Sequence, residues 1–204
     1  MTGKPRAGKA FEHVGDLCDH IHFDLVDATF DPDAPPVDVS RIGDARRLWV
    51  WQPFCLHLMS RTPLEWIEAC EEFADCFLVH VDVDDDLMEV IARCRQKQRR
   101  IGLVWHHTVT FSDLMPYLPH VDFVMVLAVE HAGRSGQPMM EAALEAAALF
   151  DGLASRYGFE LIFDGGVTRE NVHHIPARII VSSSSVLRAE NPAHTALLLR
   201  VPEP

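Results

Sequence analysis

Short apolar runs recur along this chain at an almost regular interval, each followed by a longer stretch of helical or polar character. Residues 21–27, 54–59, 77–81, 101–105, 122–129, 159–163 and 179–181 carry the strand pattern: brief, rich in Val, Ile, Leu and Phe, and bounded by polar or turn residues. Between them the apolar positions move to helical spacing. Residues 10–19 set Phe11, Val14 and Leu17 on one face. Thr62-Pro63-Leu64-Glu65 reads as a helix start, with a capping threonine, proline at the first helical position and glutamate three residues on. Residues 84–97 run from an acidic first turn to a basic last one, as the helix dipole favours. Further helices are predicted at 112–118, 139–157, 169–175 and 192–200, with loops or turns at 28–38, 130–137 and 182–185. Residues 42–51, with Arg46-Arg47 beside Trp49 and Trp51, fit neither period. Strand alternating with helix at this tempo predicts an α/β protein on a parallel sheet. Polar residues gather at the C-terminal ends of the strands, the end at which parallel barrels carry their active sites.

Three of these strands hold polar groups that are costly to bury without a purpose. In 21–27, alternation puts Ile21, Phe23 and Leu25 on one face and His22, Asp24 and Val26 on the other. An imidazole and a carboxylate then share the inward face of an otherwise apolar strand. Residues 54–59 set His57 among apolar neighbours, and 159–163 lead straight into Asp164-Gly165-Gly166. Either histidine alone reads as an ordinary hydrogen-bonded core residue. Two histidines and two aspartates near strand ends together suit one divalent metal. His80 reads either as a residue orienting a ligand from behind or as a packed imidazole. Asp27 reads as a loop cap, His106, His107 and His131 as surface or rim residues, and Met139-Met140 as helix packing.

The bulk composition narrows the class. With 204 residues, 48% hydrophobic and 24% charged, the chain reads as one domain, residues 1–204, with 1–10 a loose tail. A formal charge of −12 argues against nucleic acid or an anionic membrane as partner, and no apolar run is long enough to span a bilayer. Cys18, Cys55, Cys70, Cys76 and Cys94 are odd in number and lack CxxC spacing, which points to reduced thiols in a cytoplasmic protein. The basic start, Met1 to Lys9, has no apolar core after it and is not a secretory signal.

Taken in order, His22-x-Asp24-x-x-Asp27 with Phe30 and Pro32, His57-Leu58-Met59, Val79-His80-Val81, Val121-Asp122, Gly136-Gln137 and Asp164-Gly165-Gly166-Val167 form a recognisable set. On these residues the chain resembles the ribulose-phosphate 3-epimerase family over roughly its whole length. That resemblance implies a (β/α)8 TIM barrel of the ribulose-phosphate-binding type. It implies one divalent ion held by His22, Asp24, His57 and Asp164, with zinc first and iron, manganese or cobalt as alternatives. Asp24 and Asp164 would serve as base and acid on opposite faces of the substrate. Met59 would line the site, and Gly136, Gly165, Gly166, Ser183 and Ser184 would meet the phosphate. The expected activity is inversion of carbon 3 of a ketopentose phosphate such as ribulose 5-phosphate or xylulose 5-phosphate, or of a related ketose. Aldolase or lyase chemistry on the same enediolate, and a non-catalytic binding protein, are the competing readings.

Departures from the family pattern fall mainly on the substrate side. The family's opening strand, which brings a serine to the site, has no evident counterpart before His22. Residues 1–9 make a substitute strand, the barrel is open there, or the chain begins late relative to its relatives. An unpaired edge exposes backbone donors and favours a partner subunit, so a homo-oligomer is expected. The family's Asn-Pro-Gly-Phe-Gly-Gly-Gln loop reads Glu130-His131-Ala132-Gly133-Arg134-Ser135-Gly136-Gln137, in which Arg134 is a solvated charge or an anion contact. Ser182-Ser183-Ser184 stands for Ala-Gly-Ser, Trp105-His106-His107 for Leu-Asn-Pro, and Val26 and Leu127 for two methionines.

Overall fold

The computed structural model describes residues 7–200. Helix α1 (Ala7–Val14) and a 3-10 turn (Gly15–Leu17) lead into β1 (Ile21–Val26), α2 (Ser40–Leu48), β2 (Phe54–Met59), α3 (Pro63–Cys70), β3 (Cys76–His80) and α4 (Leu87–Gln96). The chain continues through β4 (Arg100–Trp105), α5 (Phe111–Leu114), β5 (Phe123–Leu127), α6 (Glu141–Tyr157), β6 (Glu160–Asp164), β7 (Ile179–Val181), α7 (Ser184–Leu187) and α8 (Pro192–Leu198). The seven strands pair in chain order, all parallel, as a curled half-barrel with helices outside.

Strand alternation divides the interior in two. Outward positions such as Phe54, Leu56, Phe77, Val79, Val124 and Phe163 pack under the helices. Inward positions, among them Cys55, Cys76, Leu78, Val104, Phe123, Met125 and Ile162, form a second cluster inside the curl. Both faces are thus buried, which is why these strands read as unbroken apolar runs. Gly102 marks the tightest place inside. A β-carbon there would stand 2.6 Å from Leu78 Cδ2 and 2.7 Å from Phe123 Cβ.

The sheet does not close. Among the described residues β1 and β7 have one strand neighbour each. Residues 7–9, expected in a tail or a substitute strand, lie in α1, while 1–6 fall outside the described residues. Helix α1 packs against both α2 and α8, so the outer ring is continuous where the sheet is not. Trp49 fastens this corner: its ring meets Phe11 edge-on at 5.3 Å, and its Nε1–H donates to the Gly15 carbonyl at 2.9 Å.

Several local expectations shift. The ambiguous stretch 42–51 contains most of α2. Helix α3 starts as expected, but Thr62 makes no side-chain cap; Asp85 accepts from the Leu64 N–H instead, at 2.9 Å. Thr110 and Asp113 form a capping box for α5, and the serine run becomes the one-turn helix α7. The helices read at 112–118 and 169–175 are shorter, the second being a 3-10 turn at Val172–His174. All five cysteines are free thiols, four of them buried. No helix of the described residues is long and apolar enough to cross a membrane.

Overpacking of a tight interior costs about 1–3 kcal/mol. Gly102→Ala is therefore expected to lower unfolding free energy by that amount in urea titrations, with an unchanged m-value.

Candidate metal centre and active site

The curl of the sheet brings together side chains far apart in the chain. His22 and Asp24 face inward from β1, His57 from β2 and Asp164 from the end of β6. His22 Nε2 lies 3.1 Å from Asp24 Oδ1 and 3.7 Å from Asp164 Oδ2, and His57 Nδ1 lies 3.2 Å from Asp24 Oδ1. One ligand atom from each of the four falls within 4.8 Å of the others. Four ligands about 2.1 Å from a tetrahedral ion sit roughly 3.4 Å apart, so this donor set and spacing fit a divalent metal with nitrogen and oxygen ligands.

The charges agree with that fit. Burial works against a charged His22, but the hydrogen bond with Asp24 and the negative charges of Asp24 and Asp164 outweigh it and raise its pKa to about 9. Burial also works against ionising Asp24, yet hydrogen bonds from His22 and His57 hold it well below the ordinary carboxylate range. Asp164 is pushed up to about 6 by burial, against the pull of His22, with Asp24 adding repulsion. The cluster attracts positive charge into the space between the two carboxylates.

Every residue expected at the site lines one cavity of about 1320 Å³: the four donors, Met59, Arg134, Gly136, Gly165, Gly166, Ser183 and Ser184. Gly165 and Gly166 follow Asp164 directly, with φ of 114° and 64°. A β-carbon on Gly166 would overlap the backbone of Met139, so only glycine lets the two loops approach this closely. The loop from Glu130 is clasped by Gln137, whose amide donates to the carbonyls of His131 and Arg134 and accepts from the His131 N–H at 3.0 Å. Gly133 settles on Val26 and Met59, so this loop reaches over the inner end of β1 and β2. Arg134 is exposed and forms no ion pair among the described residues.

Other side chains were harder to foresee. His106, expected at the rim, is 6% exposed and donates through Nε2 to the Val129 carbonyl at 2.9 Å, with Thr108 Oγ1 on its other nitrogen. It ties the segment after β4 to the segment after β5. Arg188, which no sequence pattern singled out, places Nη1 about 3.2 Å from where a β-carbon of Gly136 would stand. Asp27 is a loop cap as expected, and more: it accepts from the Thr29 N–H and hydroxyl, the Phe30 N–H and, from α3, the Trp66 Nε1–H at 2.6 Å.

The sequence profile of the ribulose-phosphate 3 epimerase family matches residues 5–187. The chain belongs to that family. Membership makes it an isomerase-class enzyme, an epimerase. A ribulose-phosphate 3-epimerase of Schizosaccharomyces pombe is 26% identical over 191 residues, covering 89% of this chain and 81% of the relative. KGPDC from Streptococcus mutans has the same fold, with a TM-score of 0.68 at 13% identity over 95% of this chain and 88% of that one. The tryptophan synthase alpha chain of Legionella pneumophila subsp. pneumophila gives 0.55 at 13% identity, covering 95% and 82%. These are TIM-barrel enzymes, and the half-barrel of this epimerase-family chain is their fold less one strand among the described residues.

Asp27 fixes the end of β1 on which His22 and Asp24 stand. Burial raises its pKa, but hydrogen bonds from Ser60, Thr29 and Trp66 outweigh it and hold the carboxyl below its ordinary value. A depressed folded pKa gives stability that is complete above the unfolded value near 3.9 and lost as pH falls through the folded one. Asp27→Asn turns an amide N–H toward the Trp66 donor or the loop N–H groups. It is expected to cost about 1.5–3 kcal/mol at pH 7, and the gap to wild type should narrow below about pH 4 in acid-dependent thermal melts.

Proposed function

We propose that the protein is a metal-dependent epimerase that inverts carbon 3 of a ketopentose phosphate such as ribulose 5-phosphate or xylulose 5-phosphate. The convergence of His22, Asp24, His57 and Asp164 beside Gly165-Gly166 carries this reading. Inverting a carbon next to a ketone requires removing its proton on one face of a flat enediolate and returning a proton on the other. Two carboxylates from strands that are not neighbours in the sheet, Asp24 of β1 and Asp164 of β6, suit one base per face. His22 reaches toward both carboxylates and orients them, while His57 holds Asp24 from the neighbouring strand. A divalent ion, zinc first and iron, manganese or cobalt as alternatives, would be held by these four residues. When bound it supplies Lewis acidity toward oxygens that gain charge.

The phosphate is assigned to the backbone of Gly136, Gly165 and Gly166, with Ser183 and Ser184 across the cavity and Arg134 at its edge. Positive-φ glycines let amide groups face an anion closely. The edges of β1 and β7, unpaired among the described residues, favour a homo-oligomer. The charge of −12 speaks against nucleic acid or anionic membrane as partner, and the free thiols are those of a cytoplasmic protein.

Purified protein is expected to carry about one divalent ion per chain by metal analysis, and to exchange the carbon-3 proton of the ketose phosphate with deuterium oxide. Asp24→Asn and Asp164→Asn should each abolish inversion. Full exchange persisting in both would refute the two-base assignment, and NMR showing fragments in place of a stereoisomer would favour a lyase. Gly166→Ala, which displaces the loop at Met139, is expected to raise KM for the phosphorylated sugar at least tenfold.

A further inference from the structure

We infer that His80 is the positioning residue for His57, and that the two imidazoles exchange tautomers together when a metal ion is bound. The inference rests on His57 being a ligand, as proposed above. Both rings are buried, at 0% and 4% exposure. Their Nε2 atoms lie 3.0 Å apart, and their planes differ by 17° with centroids 5.1 Å apart. Two ring nitrogens at this distance share one proton, which belongs to one ring or the other.

The partners on the far sides decide which. His57 Nδ1 faces Asp24 Oδ1 at 3.2 Å, and an ionised carboxylate only accepts. A singly protonated His57 therefore carries its hydrogen on Nδ1 and offers a lone pair at Nε2, so His80 must donate from its own Nε2. A metal ion needs the Nδ1 lone pair. The His57 hydrogen then stands on Nε2, His80 accepts there, and the His80 hydrogen stands on Nδ1, on the side where Asp82 Oδ1 lies 4.0 Å away. The protons balance. One leaves His57 Nδ1 for solvent, one crosses from His80 to His57, and one enters at His80 Nδ1 from water. Each ring keeps a single hydrogen throughout.

The surroundings suit that exchange. His80 and Asp82 line a second cavity of about 400 Å³, which gives water access to the far nitrogen. Phe30 packs against the His80 ring at 5.0 Å and holds its plane. A side chain at position 80 must both donate and accept to serve the two states. Histidine does so by tautomerism and glutamine by turning its amide; phenylalanine does neither.

Full-length protein labelled with 15N-histidine, with His80 assigned by comparison with H80Q, tests this at pH 8.5, where an ordinary imidazole carries one proton. On adding one equivalent of zinc, the Nδ1 and Nε2 resonances of His80 are expected to exchange their protonated and unprotonated ranges, although His80 does not touch the ion. In chelator competition H80F should lose about 10–100-fold in zinc affinity, as expected when a residue behind a ligand is removed. H80Q should stay within a few-fold of wild type. Zinc bound at one per chain with an unchanged His80 tautomer overturns the coupling, as does an H80F variant binding as tightly as wild type. If H80F does not fold, the wild-type resonances alone decide. Failure of the wild type to bind zinc at all overturns the metal reading itself, a different and separately visible result.

Discussion

Two carboxylates facing a common cavity, Asp24 open to it and Asp164 half-buried, require positive charge between them, and much of this molecule serves that requirement. Asp24 and Asp164 belong to strands separated by four others in the sheet, yet His22 stands within 3.1 Å of one and 3.7 Å of the other. Such proximity is costly for two bare anions in a half-enclosed cavity. The protein answers by raising the pKa of His22 to about 9, so that near neutral pH its proton supplies part of the missing charge. On the proposed reading, a divalent ion would do the same with fixed geometry.

Meeting that requirement dictates the shape of the sheet. It must curl far enough for β6 to come back toward β1, and the inner layer must tolerate the curvature. Gly102 does so by yielding its side-chain space to Leu78 and Phe123. The curl stops short of closure, and the covering of the gap falls to α1, held to α2 by Trp49 and packed against α8. Asp27 then pins the top of β1 to α3 through Trp66, so His22 and Asp24 just before it do not swing with the loop that follows. Backbone pairing sets the lateral position of each of these side chains, and side-chain hydrogen bonds set its height.

What could be read in the sequence follows the range of the interactions involved. The strands were legible because burial on both faces leaves an unbroken apolar run, and alternation alone assigned His22 and Asp24 to the inner face. Asp164 at the end of such a run stood out for the same reason. Helix α2 was not legible: its stretch is anchored by an indole that reaches a carbonyl some thirty residues earlier, which no local period encodes. The start of α3 is legible from Pro63 and Glu65, but Asp85, distant in sequence, takes the acceptor role expected of Thr62. His106 reads as a rim residue because its carbonyl partner, Val129, is distant in sequence, just beyond the end of β5. The curl, on which the site depends, left no mark in any single segment, and became visible only through the joint spacing of the motifs.

The division between retained and altered residues has a physical basis. On the proposed reading, a metal cluster tolerates little change, because replacing one donor leaves the remaining charges uncompensated. An anion cradle made of backbone amides depends instead on φ, and the positive values at Gly165 and Gly166 persist whatever side chains surround them. On the proposed reading, serines at 182–184 and the guanidinium of Arg134 can therefore reshape the charge and width of the mouth without disturbing proton transfer below. Arginine adds long-range attraction and a planar pair of donors where amides alone would give contact attraction only. In this arrangement the chemistry is held by the strands and selectivity by the loops, and the two can change independently because the clasp of Gln137 keeps the loop's ends fixed while its exposed residues vary.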